Sequence, residues 1–128
     1  MTRQRRAAEN RGRQAERVAA LWLALKGYRI LARRAKTGAG ELDLVARKGG
    51  VLAIVEVKAR ATIDAGLQAI SPQQQKRIMR GASSYAGRRP DLAGLAIRYD
   101  LIIIRPWRLP HHARQFFWPE GGQAMDFN

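Results

Sequence analysis

The sequence predicts an α/β domain with a central mixed β-sheet flanked by helices, and two observations carry that prediction. Segments of helical periodicity and segments rich in Val, Ile and Leu follow one another in the order helix, three strands, helix, one or two strands, an order that calls for helices packed on a sheet. The runs Val51 to Val57 and Tyr99 to Ile104 are also almost continuously apolar, as expected of strands covered on both faces. With 128 residues, 46% of them hydrophobic, the chain is long enough for one core.

Residues 1–13 carry Arg3, Arg5, Arg6, Arg11 and Arg13 with little apolar content, which predicts a flexible basic arm ahead of a single domain spanning 14–128. From Gln14 to Lys26, Ala15, Val18, Ala19, Trp22 and Leu25 recur at helical spacing, and Gly27 ends the helix. Glu16 lies beside that stripe and, on spacing alone, reads as an exposed helix glutamate. Tyr28 to Arg34 alternates as a first strand, and Ala35 to Gly40, with Lys36, reads as a basic loop.

The stretch Gly40 to Arg60 reads as a β-hairpin, with strands Glu41 to Ala46 and Val51 to Lys58 joined through Arg47-Lys48-Gly49-Gly50. If Gly49 and Gly50 form the turn, Lys48 pairs with Val51, Asp43 faces Glu56 and Glu41 faces Lys58. These four then share one face, and Leu42, Leu44, Val55 and Val57 take the other. Two carboxylates opposite each other repel unless a cation lies between them, and a hard divalent metal would serve. A three-residue loop would instead move Asp43 to the other face. The alternative is a wet polar face with a Glu41–Lys58 surface pair.

Beyond the hairpin, Ala59 to Ile70 is a polar connection containing Arg60. Ser71-Pro72-Gln73-Gln74 supplies an N-cap, a first-turn proline and a capping-box glutamine for a helix running to about Ala86 and stopping at Gly87. Its stripe is Ile78, Met79, Ala82 and Tyr85, which leaves Lys76, Arg77 and Arg80 outward. Leu95 to Arg105 holds an interior strand closed by Pro106, and Gln115 to Trp118 adds an edge strand. His111-His112 are adjacent in a proline-flanked loop without a partner spacing and are not read as metal ligands. Trp107, Phe116, Phe117 and Trp118 are expected in the core or on a dimer surface, with base stacking a secondary role; a homodimer therefore stays open.

Twenty-four basic residues against 10 acidic ones give a net charge of +14. That surplus favours a polyanion, because neutralising phosphates releases their counterions. The basic residues expected to meet phosphate are Arg11, Arg13, Lys36, Arg60, Lys76, Arg77 and Arg80. The absence of cysteine excludes disulfides and thiolate chemistry. No apolar run approaches a bilayer span and no signal-peptide core follows the basic N-terminus, so a cytoplasmic protein without a membrane partner is expected.

An acidic residue at a strand end followed by Glu-x-Lys in an apolar strand, here Asp43, Glu56 and Lys58, resembles the PD-(D/E)xK motif of restriction-endonuclease-like nucleases. The wider set of Gly12, Glu16, Gly27-Tyr28, Gly40-Glu41-Leu42-Asp43-Leu44, Glu56-Val57-Lys58-x-Arg60 and Arg98-Tyr99-Asp100 resembles the small bacterial YraN-like proteins of that superfamily, also similar to archaeal Holliday-junction resolvases. The resemblance runs from about Gly12 to Ile104. Leu42 rather than proline precedes Asp43, and Ala15 stands where relatives often carry glycine. The resemblance implies a restriction-endonuclease-like fold and a Mg²⁺- or Mn²⁺-dependent endonuclease acting on DNA, possible branched DNA included. It further implies metal ligation by Asp43, Glu56, Glu16 and the Val57 carbonyl, with Lys58 beside the attacked phosphate. The competing expectation is a non-catalytic basic nucleic-acid-binding module or accessory protein on the same scaffold; RNA stays open as the partner.

Overall fold

The computed structural model describes residues 2–118. Met1, the first residue of the expected arm, and 119–128, the end of the expected domain, lie outside them. Strands β1 (Arg29–Thr37), β2 (Gly40–Lys48), β3 (Val51–Ala59), β4 (Ala96–Ile104) and β5 (His111–Phe117) form one sheet in chain order. All neighbouring pairs are antiparallel except β3 and β4. A parallel pair needs a crossover, and helices α2 (Ile63–Leu67) and α3 (Pro72–Gly87) lie along it, while α1 (Arg3–Leu25) precedes the sheet.

The sheet separates two apolar clusters. Leu52 and Ile54 of β3 pack on one side with Ile78 and Ala82 of α3. Ala53, Val55 and Val57 pack on the other with Ala15, Ala19 and Leu23 of α1. This is the expected restriction-endonuclease-like layering, a central mixed sheet flanked by helices, and β3 is covered on both faces as its composition requires. No helix among the described residues is long and apolar enough to cross a membrane.

Several elements differ from expectation. Helix α1 begins at Arg3, where Thr2 caps it by accepting from the Arg5 N–H at 3.1 Å; residues 3–13 are therefore helical, with 2–10 exposed. The buried stripe of α1 is Ala15, Ala19 and Leu23, whereas Val18 and Leu25 face outward. Alanines at the contact match Ala46 and Ala53 beneath them, so a close approach to the sheet selects the small residues of the helix rather than the large ones. Strand β1 continues through the expected basic loop to Thr37, whose hydroxyl donates to the Gly40 carbonyl and accepts from the Ala39 N–H. The connection after β3 contains α2, capped by Thr62. The expected capping box of α3 is formed by Ser71 and Gln74.

A Cβ on Gly66 would lie 2.5 Å from side-chain carbons of Ile103, a fully buried residue near the end of β4. Gly66→Ala is therefore expected to cost about 1–3 kcal/mol through overpacking. Urea denaturation measures it, and a variant as stable as the parent would show that α2 can lift away without loss.

Candidate active site

The site begins where the β2–β3 ladder ends. Pairing runs from Lys48–Val51 to Leu44–Val55, which is the register expected from a Gly49-Gly50 turn, with Gly49 at φ 58°. At the next step Asp43 Oδ2 accepts from the Val57 N–H at 2.9 Å. On the other side, Arg34 of β1 adopts φ 53° between the pairs Arg33–Leu44 and Ala35–Leu42. Such left-handed backbone is uncommon for a residue other than glycine and costs on the order of 1–2 kcal/mol.

Alternation breaks at the same level. Leu44 belongs to the cluster under α1, as does Val55, but Leu42 packs with the cluster under α3. Leu42 was expected on the face of Leu44; the irregular backbone at Arg34 and the end of the β2–β3 ladder explain the change. The strand turn leaves Asp43 half-buried, close both to Glu56 and to Glu16 of α1.

Glu56 is the one charged residue in the buried stretch Leu52–Val57, with 9% of its surface exposed. Burial, a carboxyl–carboxyl hydrogen bond with Asp43 and the charge of Asp43 push its pKa up to about 9, with Lys58 and Arg77 acting in the opposite direction. At neutral pH the pair therefore holds one proton between its two carboxyls. The Glu16 carboxyl is raised as well, first by partial burial and then by Asp43, while Arg34 favours its charged form. Arg34 Nε lies 3.7 Å from Glu16 and 3.3 Å from Glu41. Glu41 is thus paired with Arg34, where a Glu41–Lys58 pair was expected.

The structure accordingly brings Asp43, Glu56, Lys58 and Glu16 to one place and adds Arg77 from α3. Gly40 helps admit that arginine: its φ is 128°, and a Cβ there would lie 3.3 Å from Arg77 Cδ. The nucleic-acid candidates Arg11, Arg13, Lys36, Arg60, Lys76, Arg77 and Arg80 are all exposed. Arg11 and Arg60 line the cleft that holds Lys58, whereas Arg77 and Arg80 line a separate one on α3. Among the described residues, no group of three or more acidic, histidine or cysteine side chains is close enough to hold a metal ion. The carboxylates in contact number two, with Glu16 further out. Their hard oxygen donors nevertheless suit Mg²⁺ or Mn²⁺, which keep several waters and need only one or two protein carboxylates.

Sequence reasoning missed Arg34, because nothing in the sequence marks a non-glycine residue for left-handed backbone. It also missed a second buried polar network, on the face under α1. Asp100 is fully buried and accepts from Arg98 Nε and Nη2 at 2.8 and 2.7 Å, from His112 Nε2 at 2.8 Å and from the Gln115 N–H at 3.0 Å. Arg98 also donates to the Tyr28 hydroxyl, and Lys26 Nζ lies 2.6 Å from His112 Nδ1. The Asp100 carboxylate can only accept, so His112 Nε2 donates to it. Burial alone would raise the Asp100 pKa, but the hydrogen bonds from His112, Arg98 and Gln115 together hold it below the usual carboxylate range. His112 is thus a partner of Asp100, consistent with its exclusion as a metal ligand. Phe117 is in the core, while Trp107 is fully exposed and Trp118 nearly half-exposed.

Asp100→Ala removes the carboxylate that pairs with the buried Arg98 guanidinium and is expected to cost about 3–5 kcal/mol, read from chemical denaturation; a loss under a third of that would mean water replaces the carboxylate. Glu56 gives a pH signature. In the unfolded chain its proton leaves near pH 4.3, whereas in the fold it stays until about pH 9. The unfolded state therefore binds fewer protons across that window, and metal-free stability falls as pH rises through it. Glu56→Gln should flatten this slope and be the more stable protein at pH 8. Parallel stability–pH curves for the two proteins would remove the shared proton.

The profile described as "Uncharacterised protein family UPF0102" matches residues 15–104. Among curated proteins, a UPF0102 protein of Maricaulis maris is 52% identical over 126 residues, covering 98% of each chain. One from Paramagnetospirillum magneticum is 50% identical over 115 residues, covering 87% of this chain and 89% of its own. A third, from Caulobacter vibrioides, is 51% identical over 106 residues, or 83% and 85% of the two chains. The chain therefore belongs to the UPF0102, YraN-like family.

Proposed function

We propose that this protein is a metal-dependent endonuclease of the PD-(D/E)xK type that hydrolyses phosphodiester bonds in DNA, with RNA as the other candidate backbone. The observation that supports it most is the contact between the buried Glu56 carboxyl and the half-buried Asp43 carboxyl in a protein of net charge +14. A fold seeking stability alone would replace such a pair with apolar residues, since uncompensated buried charge is costly. Perturbed carboxyls held beside an unburied lysine are instead what phosphoryl chemistry uses.

Asp43 and Glu56 would hold Mg²⁺ or Mn²⁺, with Glu16 and the Val57 carbonyl completing the oxygen set. When bound, such an ion lowers the pKa of a coordinated water and offsets charge on the phosphoryl group. The proton on Glu56 must leave for the carboxylate to act as a ligand, so cation binding is coupled to proton release. Asp43 is oriented for this task by the Val57 N–H, which fixes its Oδ2. Lys58, two residues beyond Glu56 on β3, presents a compact ammonium to the attacking water and the phosphoryl oxygens. Arg11 and Arg60 lie beside Lys58 in one cleft and would hold flanking phosphates. The lack of a three-ligand cluster among the described residues favours the second reading, a non-catalytic nucleic-acid-binding module.

Calorimetric titration with Mn²⁺ and a cleavage assay separate the two readings. The parent should bind the ion and cut DNA. Asp43→Asn should lose both, yet stay close to the parent's metal-free stability at neutral pH, because the amide can still hydrogen-bond the Glu56 carboxyl and accept from the Val57 N–H. Lys58→Ala should keep ion binding and lose turnover by about 10²-fold or more. Absence of ion binding to the parent, or undiminished binding to Asp43→Asn, leaves the binding module as the answer.

A further inference from the structure

Between α1 and the ends of β3 and β4 lies a cavity of about 430 Å³. Its floor is apolar and small-sided, made of Ala15, Val18, Ala59, Ile104 and Pro106, and Arg11, Arg60 and Arg105 line it as well. Arg105 Nε is buried with no hydrogen-bond partner among the described residues, although its Nη2 donates to the Leu109 carbonyl at 3.2 Å. A second cavity of about 290 Å³ adjoins it, sharing Arg11, Ala59 and Arg60 and reaching Lys58. One residue beyond Pro106, Trp107 is fully exposed and held at φ 59° by a tight turn. A bulky residue in left-handed backbone is a strained arrangement, and here it leaves an indole in solvent one residue along the chain from a residue that lines the cavity.

These features define a ligand. The floor suits a compact apolar group, and the arginines come from α1, from the end of β3 and from the end of β4, so anions must flank that group on more than one side. A lipid offers one charged end, whereas a nucleotide in a strand has phosphate on both sides of each base. The bases of an intact duplex are stacked and paired, and only an unpaired one can enter a cavity in the protein. We propose that this cavity binds an unpaired nucleotide, with Trp107 as the stacking platform for its neighbour, and so directs the adjoining phosphate toward Lys58. The proposal deepens the reading above and rests on it for the identity of the anion; it makes strands with single-stranded tails, rather than blunt duplex, the preferred substrate class.

Fluorescence anisotropy in EDTA tests it without catalysis, using a blunt DNA duplex and the same duplex with a short unpaired DNA or RNA tail. The parent should bind a tailed duplex about tenfold more tightly than the blunt one, and Trp107→Ala should abolish most of that difference. Val18→Trp, which fills the cavity from a half-exposed position, should do the same. Both variants should keep the blunt-duplex affinity within about twofold, since that rests on phosphate contacts, and melting curves confirm their folding. A preference for either tail supports the cavity, and the favoured sugar names the strand. Equal affinity for blunt and tailed duplex, a preference that survives both substitutions, or no binding to any of these oligonucleotides overturns it. Cleavage with Mn²⁺ is scored separately: tail preference without cutting keeps the cavity and removes the nuclease, and cutting without preference does the reverse.

Discussion

Strand β3 is paired on both edges and covered on both faces, so any charge placed in it must be satisfied by the elements packed around it. Glu56 is that charge. Its position draws in Asp43 from β2, Lys58 from its own strand and Arg77 from α3, and Asp43 in turn faces Glu16 from α1. Four elements are thus tied to one end of the sheet by the electrostatics of a single buried carboxyl. The left-handed Arg34 belongs to the same constraint, because its guanidinium reaches both Glu16 and Glu41 while its backbone re-aims the β2 side chains at Asp43.

The sheet contains two buried carboxyls, and they are treated in opposite ways. Asp100 receives four donor hydrogen bonds, including two from a buried arginine, and remains ionised well into the acid range. Glu56 receives a second carboxyl and keeps its proton to about pH 9. Comparable burial therefore yields an ionised structural anchor in one case and a proton-sharing pair in the other. The anchor joins β4 to β5 and, through Arg98 and Tyr28, to the segment after α1. Rigidity there holds the sheet that positions the strained pair, a division of labour expected when perturbed groups serve a site and matched ones serve the fold.

The hairpin was legible because its turn chemistry and its apolar pattern agree: Gly49-Gly50 sets the register, and that register alone brings Asp43 to Glu56. The α3 capping box was legible for the same reason, being a local interaction written in four consecutive residues. The buried face of α1 was not, since hydrophobicity favours Val18 and Leu25 while the alanines of β2 and β3 admit only Ala15 and Ala19. Helix propensity of residues 3–13 was likewise hidden by their lack of a buried face; Thr2 and the intrinsic preference of arginine, alanine and glutamine continue the helix outward. The Asp100 network escaped because its members are spread from Lys26 to Gln115, and only the β4–β5 pairing brings His112 to Asp100. Arg34 is the instructive case. No pattern in the sequence distinguishes it from Arg33, yet it takes left-handed backbone opposite Asp43.

The proton on Glu56 also reconciles the carboxyl pair with the +14 charge. Two ionised carboxylates would repel an approaching phosphate at the very point where it must arrive, whereas a pair sharing a proton at neutral pH presents one negative charge beside Lys58 and Arg77. On the proposed reading nucleic acid can therefore dock first, held by Arg11 and Arg60 in the cleft with Lys58. A phosphate seated there brings its own oxygens to complete the ligand set that two carboxylates and Glu16 leave unfinished. Cation affinity should then be higher with nucleic acid bound than without, and by linkage nucleic acid should bind more tightly with the cation present. A partly assembled site is in this sense a gate: the chain withholds the last oxygen donors, and the substrate supplies them.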